Sequence, residues 1–479
     1  MTIHKFSTAY KSLPILLLSV ALPLLALLSA CQQTPPMRET MQPLPTDSLR
    51  LSPDYVEATI PPNIAPLHFR LTTAHEGAFA IFSFGEEKVV VKEKNGQFSP
   101  PAKAWRRLLA AASGRDVSVW VCFEKQGKWF SFEPFLLHVA PEDIDAGLVY
   151  RRIAPGYELW HQMGIYKRDL ASFRETTLLE NKHTKRNCMN CHSFCEGNPE
   201  QMLYHMRGSV AGTFLQVEGQ TERIDTHAAK QHLPLTYPVW HPQGDFLAFT
   251  SADTKQSFHM NHANRIEVFD LSSDIVLYDV RRKETFSTPL LASARSMETF
   301  PAFAPDGKTL YFCSADTCSM PEAFDEVRYH LCAIAFDPKS RTFGSRVDTL
   351  YNATEKGSVS FPRVSPDGMH LVYTLSDYGQ FSIWHKEADL YLVDLKTGEH
   401  RPLEAANSGD VESYHSWSRN SRWLVFSSRR DDGLYTRPYI AYISEEGVAS
   451  KPFLLPQSDV DYYDESLYSF NIPELVREP

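Results

Sequence analysis

Four stretches of this chain repeat one pattern, and that repeat constrains the fold more than any other feature. They read YPVWHPQGDFLAFTS (Tyr237 to Ser251), FPAFAPDGKTLYFCS (Phe300 to Ser314), FPRVSPDGMHLVYTL (Phe361 to Leu375) and YHSWSRNSRWLVFSS (Tyr414 to Ser428). The shared order is aromatic, proline, a large apolar residue, a Pro-Asp-Gly turn, then alternating apolar positions. Proline presets φ, aspartate bonds back to its own backbone, and glycine takes the positive φ of a tight hairpin. The residues after the turn alternate with the period of a strand. Each unit continues with a third strand: DIVLYDV (Asp274 to Val280), HLCAIAFD (His330 to Asp337), DLYLVDL (Asp389 to Leu395) and PYIAYIS (Pro438 to Ser444). A short fourth follows, such as VDTLYN (Val347 to Asn352). Four strands per repeated unit describe a β-propeller blade.

These motifs resemble the TolB-like propeller repeat, in which SPDGxxLxF opens each blade. The resemblance runs from about Gly212 to the C-terminus and is weakest in the fourth unit, where Arg419-Asn420-Ser421 replaces Pro-Asp-Gly. It implies a propeller over 211–479 with five blades, or six as the alternative. Two strands in Gly212 to His227 would join Glu465 to Leu475 in a composite blade that closes the ring. The units are longer than WD-type blades because of three insertions: Thr254 to Ser273, Ala315 to Tyr329 and Ser376 to Ala388. Propeller function usually sits on loops of one face. A protein or glycan partner is expected there, and His259, His262 and His385 are candidate pocket residues.

Ahead of the repeats the chain is a mostly β protein of a different kind. Lys5 and Lys11 precede the apolar run Leu13 to Ala30, which ends Leu-Ser-Ala before Cys31. Basic, apolar and small-residue regions in that order are a secretory signal over 1–30. The run resembles a bacterial lipobox, which implies that Cys31 is lipidated and becomes the mature N-terminus. Gln32 and Gln33 then favour the periplasmic side of the outer membrane. Residues 31–55 are a proline-rich tether. Residues 56–150 alternate as strands, with one helix in Pro101 to Ser113, and read as a small immunoglobulin-like β-sandwich. Residues 151–210 read as a linker segment.

That linker carries the motif Cys188-Met189-Asn190-Cys191-His192. In c-type cytochromes two thiols at this spacing form thioethers to haem vinyl groups, and the adjacent histidine ligates iron. Only an exported chain meets the attachment machinery, so compartment and motif agree on one haem c. A short helix is expected from Pro199, with His205 as distal ligand and Met206 as its alternative. Zinc is the rival cofactor, held by Cys188, Cys191, Cys195 and His183. Cys313 pairing with Cys318 or Cys332 is open, as is plain burial of all three.

Function therefore divides between an anchored electron-transfer or haem-based protein and a non-enzymatic scaffold whose cysteine motif is structural. The net charge of −10 excludes a nucleic-acid footprint. A hydrolase finds no support, because neither G-x-S-x-G nor H-E-x-x-H occurs.

Overall fold

The computed structural model describes residues 35–154, 162–224, 233–259, 262, 264–353 and 357–478. The expected signal segment and Cys31 lie outside these residues. Toward the N-terminus, seven strands form one mixed sheet. Its centre is the long strand Arg115–Lys125, flanked by Gly77–Phe84 on one side and by Lys128–Phe132 and Phe135–Val139 on the other. Gln42–Leu44 and Thr59–Ile60 add parallel edges. Helix α1, Ala102–Ala111, places Trp105, Leu108 and Leu109 on one buried face, the i, i+3, i+4 stripe of a helix lying on a core. Trp105 donates its indole N–H to the Ile64 carbonyl at 3.1 Å and meets Phe82 edge-on at 5.5 Å. Helix against sheet, with a two-stranded ribbon of Leu51–Ser52 and Arg70–Leu71, replaces the two facing sheets of the expected sandwich. Alternation showed that the strands have a buried face but not what covers it.

Six sheets of four antiparallel strands follow. Five use consecutive strands, and we number their first strands β1 (Met189–Phe194), β2 (Leu235–Trp240), β3 (Ser296–Phe303), β4 (Ser358–Val364) and β5 (Glu412–Trp417). In the sixth, the C-terminal strand β6 (Ser469–Val476) pairs with Gly147–Ile153, which leads on to Met163–Asp169 and Glu175–Glu180. First strands neighbour one another from β1 through β6 and back to β1. The result is a propeller-like ring.

Two expectations change here. The C-terminal strand does enter a composite sheet, but its partners lie at 147–180. Gly212–Val217 and Gln220–Ile224 instead complete the sheet begun by β1. The supposed linker 151–210 is thus part of the ring. Its expected helix after Pro199 is the strand Gln201–Met206, paired on both sides. Met202, Leu203, His205 and Met206 are all buried. Apolar residues cover both faces, so their spacing imitated a helical stripe.

One local device recurs in all six first strands. Each carries a two-residue bulge whose first residue is left-handed: Cys191 (φ 47°), Tyr237 (49°), Phe300 (51°), Phe361 (52°), Tyr414 (51°) and Ile472 (55°). The pairing registers skip there in every sheet. The bulge turns these side chains onto the ring axis. Tyr237 and Phe300 lie 4.5 Å apart, Phe300 and Phe361 4.1 Å, Phe361 and Tyr414 4.9 Å. A left-handed non-glycine residue costs about 1–2 kcal/mol. Full burial of an aromatic ring contributes about 1.5–3 kcal/mol, so the plug they form offsets its own strain.

The hairpin after the bulge also repeats in the sheets of β2 to β5. Gly244, Gly307 and Gly368 donate back to His241, Ala304 and Ser365. Ser421 does the same to Ser418 at φ 61°, so Arg419-Asn420-Ser421 builds the turn without glycine. Asn420 accepts from Arg422 N–H as Asp367 accepts from Met369 N–H.

Candidate functional site

The repeat sets the geometry of the ring's centre. Two residues after each left-handed position come Ser193, Val239, Ala302, Arg363, Ser416 and Glu474, and all six line one cavity of about 220 Å³. It opens at the end of the ring where the Pro-Asp-Gly hairpins lie, and the aromatic plug is its floor. Trp240 and Trp417 stand at the rim. Each donates its indole N–H to a neighbouring first strand, Trp240 to Ser193 and Trp417 to Arg363, at 3.2 and 3.1 Å.

The Cys188–His192 motif is written into this frame. Cys191-His192 takes the place held elsewhere by Tyr237-Pro238, Phe300-Pro301, Phe361-Pro362, Tyr414-His415 and Ile472-Pro473. Cys191 and His192 both line the cavity. Cys188 does not; it packs beside Met163, Met189 and Met206, where the composite sheet meets the sheet of β1. Burial, only partly countered by the Tyr237 backbone and by Arg151 and Arg207, raises the Cys191 pKa. The folded chain therefore holds a neutral thiol.

His192 has an internal control in His415, the same position in the sheet of β5. Both are buried, and burial pushes both pKa values down to about 3, so both rings are neutral. His415 Nε2 meets the Val372 carbonyl at 2.9 Å. His192 leaves both ring nitrogens without a partner; the Ile472 backbone pulls on it without closing a hydrogen bond. A buried orphan of this kind is rare and calls for an explanation.

The other expected site residues lie elsewhere. His205 is buried, approaches Thr213 Oγ1 at 3.1 Å, and lines a separate cavity with Met206 and Arg207. The structure therefore does not bring either distal candidate to His192. His183 ends a short 3-10 turn with its side chain in solvent. Cys195 packs among Leu203, Leu215 and Trp240. The proposed zinc ligands do not converge, and among the described residues no three His, Cys, Asp or Glu side chains gather at ligand spacing. Cys313, Cys318 and Cys332 are free thiols.

The three insertions pack on one another at the opposite end of the ring. Phe324 stacks on His259 at 5.6 Å and meets Tyr378 at 5.9 Å. His385 Nε2 pairs with Glu267 Oε2 at 3.1 Å, and the Tyr378 hydroxyl donates to Glu267 Oε1 at 2.6 Å. His262 lies against His259 at 5.8 Å. His385 thus serves a buried ion pair joining two insertions.

No family model and no curated protein matches the chain. Solved structures similar to it include a prolyl endopeptidase (16% identity over 57% of this chain, TM-score 0.37), of whose length this chain spans 37%. An oligogalacturonate lyase in complex with manganese matches at 11% identity over 65% of this chain and 74% of its own, TM-score 0.37. Hydrazine synthase of Kuenenia stuttgartiensis matches at 10% over 71% of this chain and 48% of its own, TM-score 0.42. Sequence reasoning missed Arg363, Glu474, Trp240 and Trp417 as cavity residues. The signal was available: Arg363 and Glu474 directly follow an aromatic-Pro or Ile-Pro pair, and Trp240 and Trp417 hold matching places after Tyr237 and Tyr414.

Proposed function

We propose that this chain is a lipid-anchored envelope protein whose six-bladed, TolB-like ring carries one haem c on Cys188, Cys191 and His192. Its role is electron transfer or another haem-based one, with the ring as platform for a protein or glycan partner. The observation that carries the reading is His192: neutral, buried, orphaned on both nitrogens, and flanked by free thiols. Its counterpart His415 shows that this position can pair one imidazole nitrogen with a backbone carbonyl, although its Nδ1 is left open. A metal ligand has the opposite need, an unprotonated nitrogen left open. The donor set fits haem in kind, since Cys191 and His192 line the cavity and Cys188 sits three residues upstream. When bound, the group supplies a one-electron iron couple. The chain's own part is to keep His192 unprotonated by burial, to wall the site with Trp240 and Trp417, and to shut the axis with the aromatic plug. His205 and Met206 have no part in this reading. The lipobox supports anchoring through Cys31 on the periplasmic side of the outer membrane.

One observation favours the scaffold reading instead. Cys188 lies in the methionine cluster rather than on the cavity wall, as a packing cysteine would. Expression of the full chain with haem-attachment machinery separates the two. Colour that survives denaturation and acid-acetone extraction, with a c-type pyridine-haemochrome spectrum, supports haem. Colourless protein that still folds refutes it and leaves the scaffold.

A further inference from the structure

The wall opposite His192 holds a group the haem motif does not account for. Ring order places two first strands between β1 and β4 on either side, so Arg363 faces Ser193 across the axis. Its guanidinium donates to its own strand's Pro362 carbonyl at 2.9 Å and forms no ion pair among the described residues. Glu474 is close enough for the guanidinium to feel its charge. That carboxyl already accepts the Phe194 N–H at 2.9 Å and does not reach Arg363. The other arginine at the rim, Arg419, is spent on Asp145 at 2.8 Å. A guanidinium left open in a walled cavity is unusual, because its five donors are satisfied best by a bidentate carboxylate. Aromatic rings surround the remaining space.

From this arrangement we infer that the cavity binds a carboxylate through Arg363, borne by a flat, apolar body that packs against Trp240, Trp417 and Tyr237. Two sources share this chemistry: a propionate of haem held at His192, which rests on the proposed function, and a separate aromatic acid, which does not.

The test uses the full chain in detergent, made once without and once with haem-attachment machinery. Benzoate and uncharged benzamide are titrated into each form, read by tryptophan fluorescence. A charge-assisted bond to Arg363 makes benzoate the tighter ligand of the haem-free form by about 10- to 100-fold. Arg363→Gln abolishes that preference, and Arg363→Lys keeps part of it. Both variants are checked against wild type by circular dichroism. If a propionate holds Arg363, the haem-loaded form no longer binds benzoate, and Arg363→Gln shifts the haem reduction equilibrium about tenfold, ~59 mV for one electron. If a separate acid is the ligand, benzoate binds both forms and the haem midpoint stays put. Equal binding of benzoate and benzamide to the haem-free form, together with an unmoved midpoint in any haem form obtained, overturns the inference. Failure of haem to attach refutes the proposed function alone, because the haem-free titration still decides Arg363.

Discussion

Replacing Glu267 with glutamine should loosen the three-insertion cap in a way that depends on pH. The carboxylate and the His385 imidazole are both almost fully buried, with side-chain exposures of 4% and 2%. Burial alone would lower the histidine's pKa. Hydrogen bonds and charge from Glu267 and Glu387 overcome it and raise the value to about 9. A value of about 9 against an ordinary 6.5, at 1.36 kcal/mol per pH unit, corresponds to about 3 kcal/mol. The folded value lies above the unfolded one, so this stability is complete below about pH 6.5 and is lost as pH rises through about 9. Glu267→Gln keeps the shape and the acceptor for Tyr378 but removes the charge. Urea titrations read by protease cleavage within residues 254–273 should therefore show the variant weaker at pH 6 by a share of that figure, roughly 1–2 kcal/mol, because Glu387 still pairs with the imidazole. The gap should close by about pH 10. A gap that stays constant with pH, or widens toward pH 10, would show that packing and not the ion pair holds the cap.

Further outcomes follow from other positions. Gly307→Ala should cost more than Gly368→Ala by at least about 1 kcal/mol in thermal or urea unfolding. Both glycines are left-handed, but a Cβ at 307 runs into the buried His241 ring and one at 368 meets nothing within 4 Å. Trp105→Ala should cost about 3–5 kcal/mol in urea unfolding of the N-terminal sheet, by emptying the space between helix and strands. His415→Ala breaks its bond to Val372 and should lower ring stability by about 1 kcal/mol beyond its lost packing. His192→Ala has no such bond to lose, and should instead impair haem attachment as measured by haemochrome yield. Cys31→Ser should move the protein from the detergent phase to the aqueous phase in partitioning; unchanged partitioning would refute the anchor.

The parts of the ring visible in the sequence are those where two local devices coincide, the aromatic-Pro bulge and the Pro-Asp-Gly turn. Sheets begun by β3 and β4 have both, and that of β2 has the bulge with Pro242-Gln243-Gly244 as its turn. The sheet of β5 keeps the aromatic bulge and builds its turn from Asn420 and Ser421, and it was still recognised. The sheet of β1 hid because Cys191-His192 occupies the bulge and reads as chemistry instead of architecture. The composite sheet hid because β6 pairs with strands some three hundred residues earlier, and no local pattern encodes so distant a partner. In the N-terminal unit the parallel edges Gln42–Leu44 and Thr59–Ile60 are two or three residues long, too short for any period to show. The site was half legible. The motif announced His192, but its distal partner was sought along the chain, at His205, whereas the cavity is assembled across the ring.

The seam of the ring runs beside the Cys188–His192 motif, and this sets an order of events. β1 and β6 are neighbours, tied by Phe194 N–H to Glu474 and by Arg477 to the carbonyls of Glu196 and Gly197. β6 is synthesised long after its partner strand Gly147–Ile153. Until it arrives, one wall of the cavity is missing and Gly147–Ile153 is a free edge. Thioether chemistry needs a reactive thiol, and the closed ring holds Cys191 buried and neutral. If the proposed haem is attached, its attachment must therefore precede ring closure, because Cys191 is sealed once that strand docks. A chain lacking Ser469–Val476 would not close the ring, and would leave the Gly147–Ile153 edge unpaired and open to aggregation.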